Sequence, residues 1–127
     1  MSETITRGIR VTVIPEFLPK HSNPRGGLWM FAYHIRIENI GPEPVQLLSR
    51  HWVITDANGR AEEVRGPGVV GEQPHITPGE SYQYSSGCPL ATPMGTMHGS
   101  YQMVTRRGET FDAEISPFTL AEPYAEN

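Results

Sequence analysis

Lysine and cysteine are almost absent from this sequence of 127 residues, and each scarcity narrows the possible functions. Lys20 is the only lysine, and a net charge of -4 with a pI near 5.7 provides no basic field, so we expect no broad binding to nucleic acids. A local arginine cluster could still hold a small anion. Cys88 is the only cysteine, so no intrachain disulfide can form, which fits a reducing compartment.

Long apolar runs are also missing. The first ten residues, MSETITRGIR, lack the apolar segment of a signal peptide, and no stretch approaches the length of a membrane span. We therefore expect a cytoplasmic protein that does not enter the membrane. The 13 glycines, 12 prolines and few charged residues favour a folded chain rich in turns, and the length favours a single domain over residues 1–127.

What the sequence does contain is an alternation of apolar and polar residues, which is the pattern of half-buried strands. The run over residues 45–55 is apolar on both faces, which predicts a central strand with Trp52 in the core. Asn58 and Gly59 predict a tight hairpin turn after it. The alternating runs predict strands at residues 9–13, 29–38, 45–55, 60–65, 81–86, 97–106 and 111–115.

About seven to eight short strands with frequent turns predict an all-β fold, an antiparallel β-sandwich of the fibronectin type III or immunoglobulin kind. The spacing within residues 76–82 is that of a corner tyrosine, in which the Tyr82 hydroxyl bonds to the backbone upstream; an ordinary packed tyrosine is the alternative. We expect both ends of the chain, MSET and AEPYAEN, to be frayed.

The segment RGPGVVGEQP, residues 65–74, contains the G-x-G-x-x-G spacing that cradles a pyrophosphate in dinucleotide-binding enzymes. That function requires a helix to begin at the glycines, and Pro74 and Pro78 prevent one here. Two interpretations remain open. The glycines could supply only conformations that other residues avoid, or consecutive N–H groups could form a nest for an anion. The residues of this predicted anion site are Gly66, Gly68, Val69, Val70 and Gly71.

The sequence contains no recognisable arrangement of catalytic or metal-binding residues. The five histidines lack the spacings of a zinc site, the carboxylates near turns are typical of solvated groups, and Cys88 has no partner motif. We therefore predict no enzyme activity, no bound metal and no cofactor. The strand edges of a sandwich can, however, add a strand from another protein.

Three segments together resemble a known family: SRHWVITDANG, EVRGPGVVGEQPHITPGESYQYSSG and TPMGTMHGSYQM. They are closely similar to the bacterial ApaG family, with agreement over residues 47–103 that extends to residues 31–33 and 44–48. The resemblance implies a fibronectin type III-like or immunoglobulin-like sandwich, formed here by a single ApaG domain. Gly66, Gly68 and Gly71 match the family's glycine pattern, which supplies no catalytic residue.

The resemblance implies a binding function more than a reaction. Family members share a gene neighbourhood with a diadenosine tetraphosphate hydrolase and an rRNA methyltransferase. The descriptions of some members refer to cobalt and magnesium efflux. Related domains also occur in eukaryotic F-box proteins and in a protein that interacts with DNA polymerase delta, where the implied function is to bind proteins. We therefore predict a non-enzymatic module with protein partners and an indirect role in cobalt and magnesium homeostasis. The alternative is a sensor that binds pyrophosphate, a nucleotide or a dinucleoside polyphosphate at residues 66–71.

Overall fold

Two antiparallel sheets packed face to face make up the fold, which confirms the predicted all-β sandwich. The computed structural model describes residues 1–123, and that part of the chain contains nine strands. They are β1 (Ser2–Thr6), β2 (Ile9–Phe17), β3 (Trp29–Asn39), β4 (Val45–Asp56), β5 (Ala61–Pro67), β6 (His75–Ile76), β7 (Ser81–Leu90), β8 (Met94–Thr105) and β9 (Thr110–Ala121).

The strand order gives the sandwich one closed side and one open side. The first sheet has the order β1-β2-β3-β7, and the second has the order β5-β4-β8-β9, with β6 following β5 along the same edge of β4. On one side β1 lies against β9, where the Glu114 N–H donates to Thr6 Oγ1 at 3.2 Å. On the other side, β5 and β7 leave a cavity between them.

Two bulges decide which side chains reach the core. In β4, Leu47 points inward, and the bulge at Leu48 shifts the register so that Trp52 points inward as well. In β9, a second bulge separates Ile115 from Phe118, and both are buried. The central position of β4 and the core position of Trp52, which is 2% exposed, are confirmed. The bulge is the reason why both faces of this segment are apolar.

The expectation of a frayed N-terminus is wrong. MSET belongs largely to β1, which pairs with β2 through a hairpin whose turn residues Arg7 and Gly8 have φ values of 47° and 80°. The Arg7 guanidinium lies 4.8 Å from the centre of the Phe111 ring and 3.3 Å from a carboxylate oxygen of Glu43. These contacts from distant segments hold a turn that lacks the Asn-Gly signal, so the local pattern did not reveal it.

The C-terminal strand is longer than predicted. It continues past residue 115 to Ala121, because the bulge accommodates Pro117 without ending the pairing with β8. The expectation of a frayed C-terminus falls mainly on residues 124–127, which lie outside the described part of the chain.

Tyr82 is a packed tyrosine, not a corner tyrosine. Its ring is partly buried against the core, and its hydroxyl makes no hydrogen bond within residues 1–123. The buried Asn39 ties these segments together instead. Its Nδ2 donates to the carbonyl oxygens of Glu43 at 2.7 Å and Ile76 at 2.9 Å, while its Oδ1 accepts from the Gly41 N–H.

Candidate functional site

The glycine-rich segment lies between β5 and β6, against the bulge of β4. Gly66 is part of β5 and stands opposite Arg50 in the pairing register. A Cβ on Gly66 would lie 3.0 Å from the Arg50 guanidinium, so glycine leaves room for that side chain. Arg50 donates to the carbonyl oxygens of Pro67 and Gly68, each at 2.9 Å, and so holds the start of the loop.

The rest of the segment is a tight turn closed by its own backbone. Val69 and Glu72 exchange N–H to C=O hydrogen bonds of 2.8 and 2.9 Å, and Val70 and Gly71 between them have φ values of 43° and 81°. Gly68 has a φ of 58°, and a Cβ there would collide with the carbonyl oxygen of Glu72. Both the conformation and the available space therefore require glycine at position 68.

The N–H groups predicted to bind an anion are close together but differently engaged. The Gly68 N–H donates to the carbonyl oxygen of Leu48 at 2.9 Å, and the Val69 N–H is used within the turn. The N–H groups of Val70 and Gly71 make no hydrogen bond within residues 1–123. An anion could therefore reach only the tip of the turn without displacing a backbone hydrogen bond.

The fold also brings together three side chains that the sequence did not connect. Ser85 Oγ lies 2.6 Å from His34 Nδ1, and His34 Nε2 lies 2.8 Å from Glu16 Oε1. A hydroxyl, an imidazole and a carboxylate in this order are the parts of a nucleophilic site. Here the three side chains lie on the outer face of the first sheet, where the His34 side chain is 43% and the Glu16 side chain 55% exposed. Water therefore competes for both hydrogen bonds. Only the pairing register, in which His34 stands opposite Ser85, reveals the contact.

The other groups considered for chemistry stay apart. Within residues 1–123, no three histidine, cysteine, aspartate or glutamate side chains are grouped closely enough to hold a metal ion. Burial, with a smaller effect of the nearby Glu62 carboxylate, raises the pKa of the Cys88 thiol to about 11, so little thiolate exists at neutral pH. No helix among the described residues is long and apolar enough to cross a membrane.

A groove runs along the open side of the sandwich, between the edges of β5 and β7. It consists of two adjoining cavities of about 260 and 240 Å³, which share Ile54, Glu62 and Pro89. Buried aromatic and sulfur-containing side chains, among them Tyr33, Trp52, Cys88 and Met97, line the larger cavity. We call these two cavities the open groove.

The edge of β7 beside this groove is long and carries no charge. Its sequence is SYQYSSGCPL, whereas the edge strand β5 carries Glu62, Glu63 and Arg65. Natural edge strands are commonly protected by charged side chains, shortness or proline. In β7 only Pro89, close to the C-terminal end, offers such protection.

The backbone of β7 presents hydrogen-bonding groups on this edge. The carbonyl of Glu80 accepts from the Asn39 N–H at 3.0 Å, so the even-numbered residues that follow face β3. The odd-numbered residues therefore direct their N–H and C=O groups to the free edge. They are Ser81, Gln83, Ser85 and Gly87, followed by Pro89, which contributes only its C=O.

Comparison with known proteins identifies the family. A family model described as the ApaG domain matches residues 19–105. The chain belongs to the ApaG family. Protein ApaG of Rhodospirillum centenum is 56% identical over 124 residues, which is 98% of this chain and 95% of the relative. Protein ApaG of Dechloromonas aromatica is 54% identical over 125 residues, which is 98% of each chain.

Solved structures extend the similarity to the fold. A crystal structure from Bordetella pertussis, described as that of an ApaA protein, has a TM-score of 0.89 and 50% sequence identity, and the match covers 91% of this chain and 94% of that one. The resemblance to the ApaG family is thus confirmed. The residues matched by the family model include β3 to β8, so the glycine loop and both walls of the open groove belong to the ApaG domain.

Proposed function

We propose that this member of the ApaG family is a non-enzymatic binding module that acts in the cytoplasm through protein partners. The observation that carries the proposal is β7, a ten-residue strand without charge at the free edge of its sheet. Such an edge binds an extended segment of another protein by strand addition, because its outward N–H and C=O groups continue the ladder. Any link to cobalt and magnesium homeostasis is then indirect and passes through the bound partner.

Selection from a displayed library of random ten-residue peptides tests this proposal. Gln83→Pro removes an outward N–H from the middle of β7 and places a ring on the free edge, while the hydrogen bonds to β3 are kept. Glu63→Pro is the matched control on β5, where the even-numbered residues face β4 and Glu63 faces outward. Circular dichroism establishes that both variants fold.

We expect peptides selected on the unmodified protein to bind Glu63→Pro equally and Gln83→Pro about tenfold more weakly. A library that yields no binder, or binders that ignore Gln83→Pro, would contradict strand addition at β7.

A second candidate is a sensor of pyrophosphate, a nucleotide or a dinucleoside polyphosphate at the glycine loop. It is favoured by the N–H groups of Val70 and Gly71, which have no partner within residues 1–123, and by a surface depression of about 640 Å³ at the start of the loop, whose lining includes Arg50, Arg65 and Gly66. An NMR titration of the 15N-labelled protein with pyrophosphate distinguishes the two candidates. Saturable shifts at Val70 and Gly71 would support the sensor, whereas unsaturated shifts spread over exposed arginines would exclude it.

A further inference from the structure

We infer that the partner segment carries a basic side chain that pairs with Glu62 and, two residues away, an apolar side chain that packs against Val64. This inference rests on the strand addition to β7 proposed above. It names the partner by its chemistry: an extended protein segment in which a lysine or arginine alternates with apolar residues on the side facing the open groove.

The position of β5 shows where the inward side chains of an added strand would go. Glu62 and Val64 stand opposite Ile54 and Trp52 in the register, so they point to the same side of their sheet as the buried Trp52. β7 is the last strand of the first sheet, so an added strand would lie about 4.8 Å beyond it, on the side where β5 borders the groove. Its inward side chains, about 7 Å apart, would meet Glu62 and Val64 in turn.

Glu62 is the charged side chain that the two cavities of the open groove share; Arg50 lines the larger cavity, and Asp56 and Arg60 line the smaller. Glu62 forms no ion pair within residues 1–123. Its neighbour Glu63 points to the opposite face, where it lies 2.8 Å from His51 and 3.8 Å from Arg65. Arg50, which lines the larger cavity, is already engaged with two carbonyl oxygens. Electrostatic complementarity therefore favours a basic residue opposite Glu62.

Trp52 provides a reporter of the open groove. Its indole N–H is buried and finds no acceptor within residues 1–123, although Trp52 lines the larger cavity. Buried donors normally have an acceptor, because leaving one unpaired is unfavourable. Trp29 follows this rule, since its Nε1 donates to Glu122 Oε2 at 2.9 Å.

A second copy of this chain fits the groove less well than a different protein. Pairing β7 with β7 of another molecule would satisfy the same backbone groups. However, SYQYSSGCPL contains no lysine, arginine or histidine that could reach Glu62. The free carboxylate therefore favours a partner with a basic strand.

The probe for this inference is a blocked ten-residue peptide in which threonine alternates with valine and one central valine is replaced by arginine. A second peptide carries glutamate at the arginine position. Both are titrated into the 15N-labelled protein and into the variants Glu62→Gln, Glu62→Arg and Glu63→Gln, the last being a matched control on the opposite face. The indole signal of Trp52 reports occupation of the groove, and that of Trp29 serves as the internal reference.

We expect the arginine peptide to shift the amides of Ser81, Gln83, Ser85 and Gly87 and the indole of Trp52. Glu62→Gln should weaken binding about fivefold, which corresponds to about 1 kcal/mol for one ion pair, and Glu63→Gln less than about twofold. Glu62→Arg should reverse the preference, so that the glutamate peptide binds more tightly.

Two results would overturn the inference. If neither peptide binds, or if both bind the unmodified protein equally, Glu62 does not select the partner; library peptides that still depend on Gln83 would leave the proposed function intact. If sedimentation shows self-association that Gln83→Pro abolishes, the occupant of the β7 edge is a second copy, and the partner chemistry inferred from Glu62 is wrong.

Discussion

The hydroxyl groups of Tyr84 and Tyr101 join the two sheets across the core, with their oxygens 2.5 Å apart. Tyr84 comes from β7 and Tyr101 from β8, and Tyr101 is fully buried. Tyr84→Phe leaves the Tyr101 hydroxyl without this partner. We expect the free energy of unfolding in urea to fall by about 1–3 kcal/mol. Tyr82→Phe is the control and should change it by less than about 0.5 kcal/mol, because the Tyr82 hydroxyl has no partner among residues 1–123.

The burial of the Tyr84 and Tyr101 hydroxyl groups predicts how the free energy of unfolding depends on pH. Burial raises the pKa of both Tyr84 and Tyr101 above the ordinary value of 10.0. The folded protein therefore holds these protons more tightly than the unfolded chain, so their effect on stability is constant below about pH 10 and stability falls as the pH rises above it. Urea unfolding between about pH 8 and pH 11 checks this. A midpoint that stays level over the whole range would contradict the burial of the two phenols.

Gly99 is a position where the second sheet tolerates no side chain. It stands opposite Trp52 in the register of β4 and β8, and a Cβ there would collide with the carbonyl oxygen of His51. We expect Gly99→Ala to lower the free energy of unfolding by about 2–4 kcal/mol. Gly87→Ala is the matched control, since its Cβ would meet mainly the flexible end of Met30, and it should cost less than about 1 kcal/mol. Equal effects would contradict the close approach at Gly99.

Substitutions at the neighbouring residues Val69 and Val70 should change the free energy of unfolding in opposite directions. Val70 is 58% exposed and has a φ of 43°, which is unfavourable for a β-branched residue. We expect Val70→Gly to raise the free energy of unfolding by about 1 kcal/mol. Val69 is fully buried, and Val69→Ala should lower it by about 2 kcal/mol. A Val70→Gly variant that is less stable than the parent would show that the turn is not strained.

Ser85 provides a test of the non-enzymatic proposal. Its hydroxyl contacts His34, but the exposed imidazole and the exposed Glu16 carboxylate are surrounded by competing water. We expect a fluorophosphonate probe not to label the folded protein, as judged by intact-mass spectrometry. Stoichiometric labelling that disappears in both Ser85→Ala and His34→Ala would show an activated serine, and the protein would then have to be treated as an enzyme.

Much of the fold could be predicted because alternation and turn residues act locally. The β4–β5 hairpin at Asn58 and Gly59 is an example, since its signal lies within four residues. The turn at Arg7 and Gly8 depends on contacts with Glu43 and Phe111, which the fold brings from far along the chain. The bulge at Leu48 is similarly hidden, because an extra residue in one strand is defined only by the strand that pairs with it.

The site was less predictable than the fold. The positive φ values at Gly68 and Gly71 could be inferred from the presence of glycine at these positions. The space that Gly66 leaves for the Arg50 side chain could not, because it depends on the register between β4 and β5. The open groove has no local signature at all, because it exists only where the strand order leaves β5 and β7 at the same side. The sequence shows that the segment forming β7 carries no charge. It does not show that this strand lies at the edge of its sheet.

The short hairpin at the start of the chain bears on the valency of the proposed complex. Because β1 covers residues 9–13 of β2 and reaches β9, β7 is the long uncharged edge left open within residues 1–123, so the proposed strand addition would give each molecule one place for a partner. A chain shortened by its first seven residues would expose β2 as a second edge. Under the proposed strand addition, such a molecule would be divalent and could link partners, or copies of itself, into linear assemblies, whereas a molecule with the hairpin would form a complex of one to one.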